Sequence, residues 1–537
     1  MDIFDHIFGF KPYQFQSNVV EILNEKKYPI LIKAPTGSGK TNAVLAPFLA
    51  QFLENKFHIA PRLIYVLPMR VLINNVAQRI KKYADKISPL ISVKIQHGDV
   101  PDAPFFIADI VVTTLDQFLY GFARTSQQVG RHIDMPAGAI ASSLVVFDEV
   151  HMYRDEFTFS IMRAIMEILY ESKIPFVVMT ATMPESLEKS LFENIYIEDK
   201  KIVGKNVVNS KLQLKICDKP LYADNDVNID MELLEKIKKR RKTLIVLNQV
   251  KRAQKVYEEI KKRLGLNENQ IVLLHSRFIR KDREEHENTA LSLIPHKENG
   301  KIKVPKGVGI VVSTQVLEAG IDFSAELLLT EIAPADCLVQ RAGRCARYEG
   351  EKGEMIIFPV EDENGHKPYK IEHLNNTTSW LKENQGFNIK DFNEVQKFVD
   401  VLDYRADDFE ARDTLVDLYE CVLYADTKPE NIQVRNSKPV ILVVVDFSIG
   451  GGRKKEDRIK DSIYKTNLKE NSIDIDFGVA WQLFKKGILK YRLQYDVDSR
   501  KWNFDEIREI LPFNMYIIEK SNYDENIGVK NDTSYFI

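Results

Sequence analysis

Pro29-Ile-Leu-Ile-Lys-Ala-Pro-Thr-Gly-Ser-Gly-Lys-Thr-Asn-Ala-Val-Leu45 is the stretch that decides how this chain folds. A short apolar run leads into a glycine-bearing turn and then into a helix-forming segment, the context of a phosphate-binding loop. Gly37 and Gly39 let backbone N–H groups close on an anion, and the following helix offers the positive end of its dipole. Ala34, Pro35, Thr36, Gly37, Ser38, Gly39, Lys40 and Thr41 therefore form the candidate nucleotide cradle. Lys40 is placed to reach β/γ-phosphates and the Thr41 hydroxyl to ligate a magnesium ion. Ala34 stands where the pattern usually has its first glycine.

Ser143-Leu-Val-Val-Phe-Asp-Glu-Val-His151 supplies the second half of such a site. Four apolar residues followed by two carboxylates describe a buried parallel strand ending at the carboxyl edge of a sheet, where these folds place ligands. Asp148 is the candidate magnesium-holding group and Glu149 the group that orients or deprotonates an attacking water. The chain thus carries the residues for binding ATP with Mg2+.

Outward from these motifs, apolar strands recur at Leu63–Leu67, Ile110–Val112 and Phe176–Met179, each ending in a small polar cluster. The pattern restarts at Thr243–Leu247, Ile271–Leu274, Val308–Val312 and Leu327–Leu329 without a second phosphate loop. The chain is therefore expected to be α/β, with two tandem doubly wound parallel-sheet lobes at residues 1–205 and 206–360 and a smaller accessory C-terminal domain at 361–537. The charged run from Arg280 to Lys306 reads as helix plus surface loop, and Val440–Val445 as a buried strand.

At 537 residues the chain is long enough for several cores, and a net charge of −2 excludes a protein that coats nucleic acid by global attraction. No apolar run reaches the length of a membrane span, and the start Met1-Asp-Ile-Phe-Asp-His6 lacks a basic leader. Cys217, Cys337, Cys345 and Cys421 show no CxxC spacing, so a cytoplasmic setting is expected.

Taken in order, the loops at the strand ends resemble those of superfamily 2 helicases. Ala34–Thr41 is similar to motif I, Leu67-Pro-Met-Arg70 to motif Ia, Thr113-Thr-Leu-Asp-Gln117 to motif Ib, Asp148–His151 to motif II and Thr180-Ala-Thr182 to motif III. Leu273-Leu-His-Ser-Arg-Phe278 resembles motif IV, Val312–Asp322 motif V and Gln340-Arg-Ala-Gly-Arg-Cys-Ala-Arg347 motif VI. The resemblance implies RecA-like lobes that close on ATP. It places Gln16 (or Gln14) at the adenine edge, Gly320 and Asp322 near the nucleotide, and Gln340 by the γ-phosphate. Arg344 and Arg347 become the transition-state cations. Arg341 is either a further such group or a partner within its own lobe. It also implies contacts to a nucleic-acid backbone by Arg70, Thr114, Ser276, Arg277 and Thr314, and coupling of lobe closure through His151, Thr180 and Thr182.

The wording of Asp148-Glu-Val-His-Met-Tyr153, Thr180-Ala-Thr-Met-Pro184 and Ser313-Thr-Gln-Val-Leu-Glu-Ala-Gly-Ile-Asp322 is especially similar to the CRISPR-associated type I interference helicase. Relatives of that kind often carry an HD-type metal nuclease before the motor. Here motif I begins within the first forty residues, and none of the ten histidines is followed by Asp. The resemblance therefore implies a stand-alone helicase subunit with a separate HD nuclease subunit as partner. It further implies 3′→5′ movement on single-stranded DNA opened by an RNA-guided, Cascade-like surveillance complex. Two other readings stay open: another DExH RNA helicase or restriction-type motor, and an ATP-gated nucleic-acid clamp without processive unwinding.

Overall fold

The computed structural model describes residues 3–98, 100–153, 155–205, 209–224, 226–298, 301–318, 322–360, 364–423, 438–452, 454–496 and 498–530. The chain divides into two compact units, Met1–Val207 with Asp391–Asn436, and Val208–Lys390 with Ser437–Ile537.

The first unit is built on an eight-stranded sheet. Its order is Val100–Pro101, Val93–His97, Ile110–Thr114, Arg62–Leu67, Ser143–Phe147, Phe176–Thr180, Ile30–Lys33, Lys201–Val203. All pairings are parallel except that of the short Val100–Pro101 strand. Ile30–Lys33, Ile110–Thr114, Ser143–Phe147 and Phe176–Thr180 are buried at every position, which is why they read as unbroken apolar runs. Alternate residues serve opposite faces. Ile30, Ile32, Leu63, Tyr65, Val146 and Val177 share one core with Val19 and with Val44 and Phe48 of helix Lys40–Glu54. Phe147 instead meets Phe118 with ring centroids 5.5 Å apart. The carboxyl ends of Ile30–Lys33, Phe176–Thr180 and Ser143–Phe147, three neighbouring strands, deliver the phosphate loop, Thr180–Thr182 and Asp148–Glu149 to one edge.

The second unit holds a six-stranded, wholly parallel sheet. Its order is Ile271–Leu274, Gly309–Ser313, Lys242–Val246, Leu327–Glu331, Lys352–Phe358, Lys211–Ile216. A separate five-stranded mixed sheet follows in the order Ser472–Asp476, Pro439–Val445, Met515–Glu519, Tyr491–Asp496, Lys501–Glu506. Val440, Leu442 and Val444 lie in the same core as Ile245, Val312 and Leu329. The alternate residues Val443 and Val445 pack on Ile459 and Ile463 of helix Lys455–Lys465.

Two features differ from the sequence reading. Residues 361–537 are divided between the units. Helices Phe392–Val399 and Asp408–Leu423 join the first, where Arg163 pairs with Asp408 at 2.6 Å and Ser186 Oγ donates to the Leu402 carbonyl at 3.0 Å. The later sheet joins the second through the shared apolar core. The segment 280–306 is helix Arg280–Leu293 followed by a short hairpin, His296–Glu298 with Lys301–Lys303, where a loop is expected.

Gly309 opens its strand against the Leu293 carbonyl oxygen, and a Cβ there would stand 2.2 Å from that atom. Gly309→Ala is therefore expected to cost about 1–3 kcal/mol through forced displacement of the backbone. Denaturant unfolding measures it, and a wild-type midpoint would contradict the close approach.

Candidate nucleotide and nucleic-acid site

The phosphate loop closes tightly. Gly37 and Gly39 take φ of +84° and +87°, values that side chains rarely adopt, and a Cβ on Gly39 would fall 2.5 Å from Gln16 Nε2. Lys40 is buried, and its ammonium donates to the Ala34 carbonyl at 2.9 Å and reaches that of Pro35 at 3.5 Å. Gln16 is fully buried, and its amide nitrogen donates to the carbonyls of Gly39 (3.0 Å) and Ser38 (3.4 Å). Its amide oxygen accepts from Tyr13 N–H at 2.9 Å. Both ends of the amide are thus engaged by the loop and the helix start. An adenine edge would have to displace those bonds, which differs from the simple base-reading role expected of it. Gln14 bonds to Asn18 at 2.9 Å on the surface.

Asp148 lies beside this loop. One carboxylate oxygen accepts from Glu149 N–H at 2.9 Å, and the other accepts from the Tyr65 hydroxyl at 2.5 Å. The Tyr65 oxygen also lies 3.0 Å from Thr41 Oγ1, to which Arg79 donates at 3.3 Å. Tyr65 therefore links the two side chains proposed to hold a metal. Burial, reinforced by the Glu149 charge, pushes the Asp148 pKa up to about 6. Glu149 adopts a left-handed backbone (φ +54°), an uncommon conformation for a non-glycine residue. His151 connects the neighbouring loops: its Nδ1 is 2.8 Å from Thr180 Oγ1 and its Nε2 is 3.6 Å from the Glu149 carboxylate. The Thr182 hydroxyl is buried with no hydrogen-bond partner among the described residues.

The second unit gathers the motif V and motif VI residues. Arg344 is buried and donates to the carbonyls of Leu317 (3.1 Å) and Glu318 (2.9 Å). Arg347 pairs with Asp322 at 2.7 Å and donates to the Gly343 carbonyl at 3.1 Å. Gln340 is buried, and neither of its amide atoms has a partner among the described residues. Gly320 lies outside the described residues. Arg341 belongs to its own lobe: it bonds to Glu318 (2.8 Å), Thr330 Oγ1 (2.8 Å), Asn248 Oδ1 (3.1 Å) and the Tyr369 hydroxyl (2.9 Å).

Of the five nucleic-acid candidates, only Arg70 and Ser276 expose their side chains. Thr114 is buried and caps helix Leu115–Phe122, its hydroxyl accepting from Gln117 N–H at 3.4 Å. Thr314 is buried, its backbone N–H bonding to the Leu274 carbonyl at 3.2 Å. Arg277 is buried as well, and burial lowers its pKa to about 10. The burial of these three side chains differs from the exposure expected of surface contacts.

Sequence reasoning passed over four residues here. Tyr65 sits among aliphatic neighbours in strand Arg62–Leu67, and Arg79 lies well along helix Arg70–Ala84 from motif Ia. Glu318 stood inside the motif V run but reads as an ordinary acid. Lys390 donates to the carbonyls of Ala342 (2.9 Å) and Cys345 (2.7 Å) around the arginine-bearing turn. No local pattern marks it. Among the described residues no group of three or more His, Cys, Asp or Glu could hold a metal ion, and no helix is long and apolar enough to cross a membrane.

Parallel-sheet lobes carrying these loops define a helicase of the DEAD/DEAH-box class, and residues 13–190 match the DEAD/DEAH box helicase family. Residues 239–350 match the C-terminal region of the CRISPR-associated nuclease/helicase Cas3, and the chain is a Cas3-like helicase. It is 29% identical over 465 residues to the CRISPR-associated helicase Cas3 of Thermoproteus tenax, covering 82% of this chain and 76% of that one. To a putative CRISPR-associated nuclease/helicase Cas3 of Methanocaldococcus jannaschii it is 28% identical, and it spans only 54% of that relative. A crystal structure described as T. fusca Cas3-ATP superposes with a TM-score of 0.68 at 19% identity, covering 97% of this chain and 69% of that one.

Two outcomes follow from the buried groups. Arg341→Ala strands Glu318 in the interior and is expected to cost about 3–5 kcal/mol, read by thermal or denaturant unfolding; an unchanged midpoint would contradict the buried pairing. His275 is held neutral, its pKa lowered to about 3 by burial and by Arg277. The unfolded chain takes up its proton near pH 6.5 and the folded chain only near 3, so this residue's stabilisation is lost as pH falls below 6.5. His275→Gln is expected to lose less stability than wild type between pH 7 and 5; parallel losses would contradict that burial.

Proposed function

We propose that this helicase is an ATP-dependent single-stranded DNA translocase, moving 3′→5′ in type I CRISPR interference. It would prepare target DNA, exposed by an RNA-guided surveillance complex, for cleavage by a separate HD nuclease subunit. The observation that carries the reading is the gathering of Lys40, Thr41, Asp148 and Glu149 at one sheet edge. A phosphate cradle, a metal-holding pair and a water-activating carboxylate there occupy adjacent loops. The similarity to Cas3 relatives supports the CRISPR setting.

The donor set fits Mg2+. The Thr41 hydroxyl and the Asp148 carboxylate are hard oxygen ligands already brought together through the Tyr65 hydroxyl. Thr41 and Asp148 would hold the ion, which would neutralise phosphate charge when bound. The Lys40 ammonium would exchange its loop carbonyls for β/γ-phosphate oxygens, with Gly37 and Gly39 amides lining the cradle. Glu149, oriented by His151, would accept the proton of the attacking water. Arg344 and Arg347 would stabilise charge on the transferred phosphoryl group, and Gln340, whose amide has no partner among the described residues, would sense the γ-phosphate. His151 bonded to Thr180 offers a path by which the state of the nucleotide reaches the next loop. In such a system sequence choice falls to RNA–DNA pairing.

The wild-type chain is expected to hydrolyse ATP faster with single-stranded DNA than with RNA and to displace a paired strand when ATP is present. Preference for RNA would sink the DNA reading, and DNA-stimulated hydrolysis without strand displacement would leave a clamp. Lys40→Ala is expected to abolish turnover. Glu149→Gln is expected to keep nucleotide binding while slowing hydrolysis by about 10²–10⁴-fold; full activity would remove Glu149 as the water-activating group.

A further inference from the structure

The motif IV loop His275–Ile279 is held by a segment more than two hundred residues away in sequence. The hairpin Tyr523–Asp524 with Gly528–Val529 stands apart from the five-stranded sheet and is bonded to this loop along its length. Val529 N–H donates to the Arg277 carbonyl at 3.1 Å. Arg277 N–H donates to His275 Nδ1 at 3.1 Å, so the ring carries its proton on Nε2, which donates to the Ile527 carbonyl at 3.0 Å. The Tyr523 hydroxyl accepts from Ile279 N–H at 3.2 Å and donates to Asp282 at 2.7 Å, engaging the loop and the helix after it. Gln254, on helix Val250–Leu264, donates to the Ile527 carbonyl at 2.5 Å and reaches that of Val529 at 3.3 Å, anchoring the hairpin from behind.

The fit leaves no room for a side chain at Gly528. Its φ is +78°, and a Cβ would lie 2.6 Å from the Arg277 carbonyl oxygen and 2.7 Å from His275 Cε1. His275 in turn stacks on Phe278 with ring centroids 4.2 Å apart and planes within 11°. The backbone on both sides of Ser276, the loop's exposed residue, is thus dictated by the hairpin.

We infer that the Tyr523–Val529 hairpin is a positioning clasp for the motif IV loop, with Gly528 and Tyr523 setting the geometry in which Ser276 and the Arg277 backbone meet a nucleic-acid strand. It rests on the reading of that loop as a nucleic-acid contact. Hydroxyl and backbone groups grip phosphates only when held in register with them, so a loop displaced by a fraction of an ångström loses contacts that nucleotide binding never uses.

The experiment uses the full chain. Binding of fluorescein-labelled oligo-dT and of mant-labelled ATP is measured for wild type, Gly528→Ala and Tyr523→Phe, with the ATPase activation constant for DNA read beside kcat. Both variants are expected to bind oligo-dT about tenfold more weakly and to need correspondingly more DNA for activation. Affinity for mant-ATP and kcat at saturating DNA stay near wild type. Tyr523→Phe carries the test alone if Gly528→Ala fails to fold. Wild-type DNA affinity in a folded variant overturns the clasp, as does an equal loss of nucleotide affinity, which marks general loosening. A wild-type chain that binds no single strand fails the underlying reading and the inference with it. Normal wild-type binding that weakens in Ser276→Ala but in neither clasp variant fails the inference alone.

Discussion

Everything proposed for this helicase depends on one short chain of oxygen atoms, from Thr41 through the Tyr65 hydroxyl to the Asp148 carboxylate. Taking that carboxylate out of water is costly, and burial with the Glu149 charge raises its pKa to about 6. The Tyr65 hydrogen bond at 2.5 Å and the Lys40 and Arg79 charges act against that rise. A divalent cation bound there would act in the same sense and more strongly. The arrangement therefore suits the proposed metal-bearing polyphosphate, and the parallel sheet holds its loops in place.

The same logic runs through the second unit in another form. Arg341 and Glu318 are both fully buried, an arrangement that is tolerable only because Thr330, Asn248 and Tyr369 complete the hydrogen bonding of the guanidinium. That network ties the motif V turn to helix Ala335–Ala342, just ahead of Arg344 and Arg347, and Lys390 donates to the carbonyls of Ala342 and Cys345 in the turn that follows. Arg344 and Arg347, proposed as transition-state cations, are thus carried by backbone that is itself held by buried charge.

Much of this was legible from residues alone, for a physical reason. Strands such as Ile110–Thr114 and Leu327–Glu331 are buried along their whole length in parallel sheets, so they appear as unbroken apolar runs followed by loop chemistry. Edge strands are harder: Lys211–Ile216 alternates polar and apolar residues beside its single neighbour. The return of residues 391–423 to the first unit depends on contacts such as Arg163 with Asp408, which no local pattern encodes. At the site, glycines, lysine and carboxylates announce themselves by spacing, whereas Tyr65 and Lys390 act through positions that only folding brings together. Thr114 shows the converse, since its hydroxyl caps helix Leu115–Phe122, and a hydroxyl at a strand end suits a cap as well as a phosphate.

The most direct test of the account is metal-dependent nucleotide binding, measured by titrating mant-ATP with and without Mg2+ into wild type and Asp148→Asn. The account predicts that Mg2+ tightens binding to wild type and that Asp148→Asn loses this gain while keeping the metal-free affinity supplied by Lys40 and the loop amides. An equal gain from Mg2+ in both proteins would contradict it.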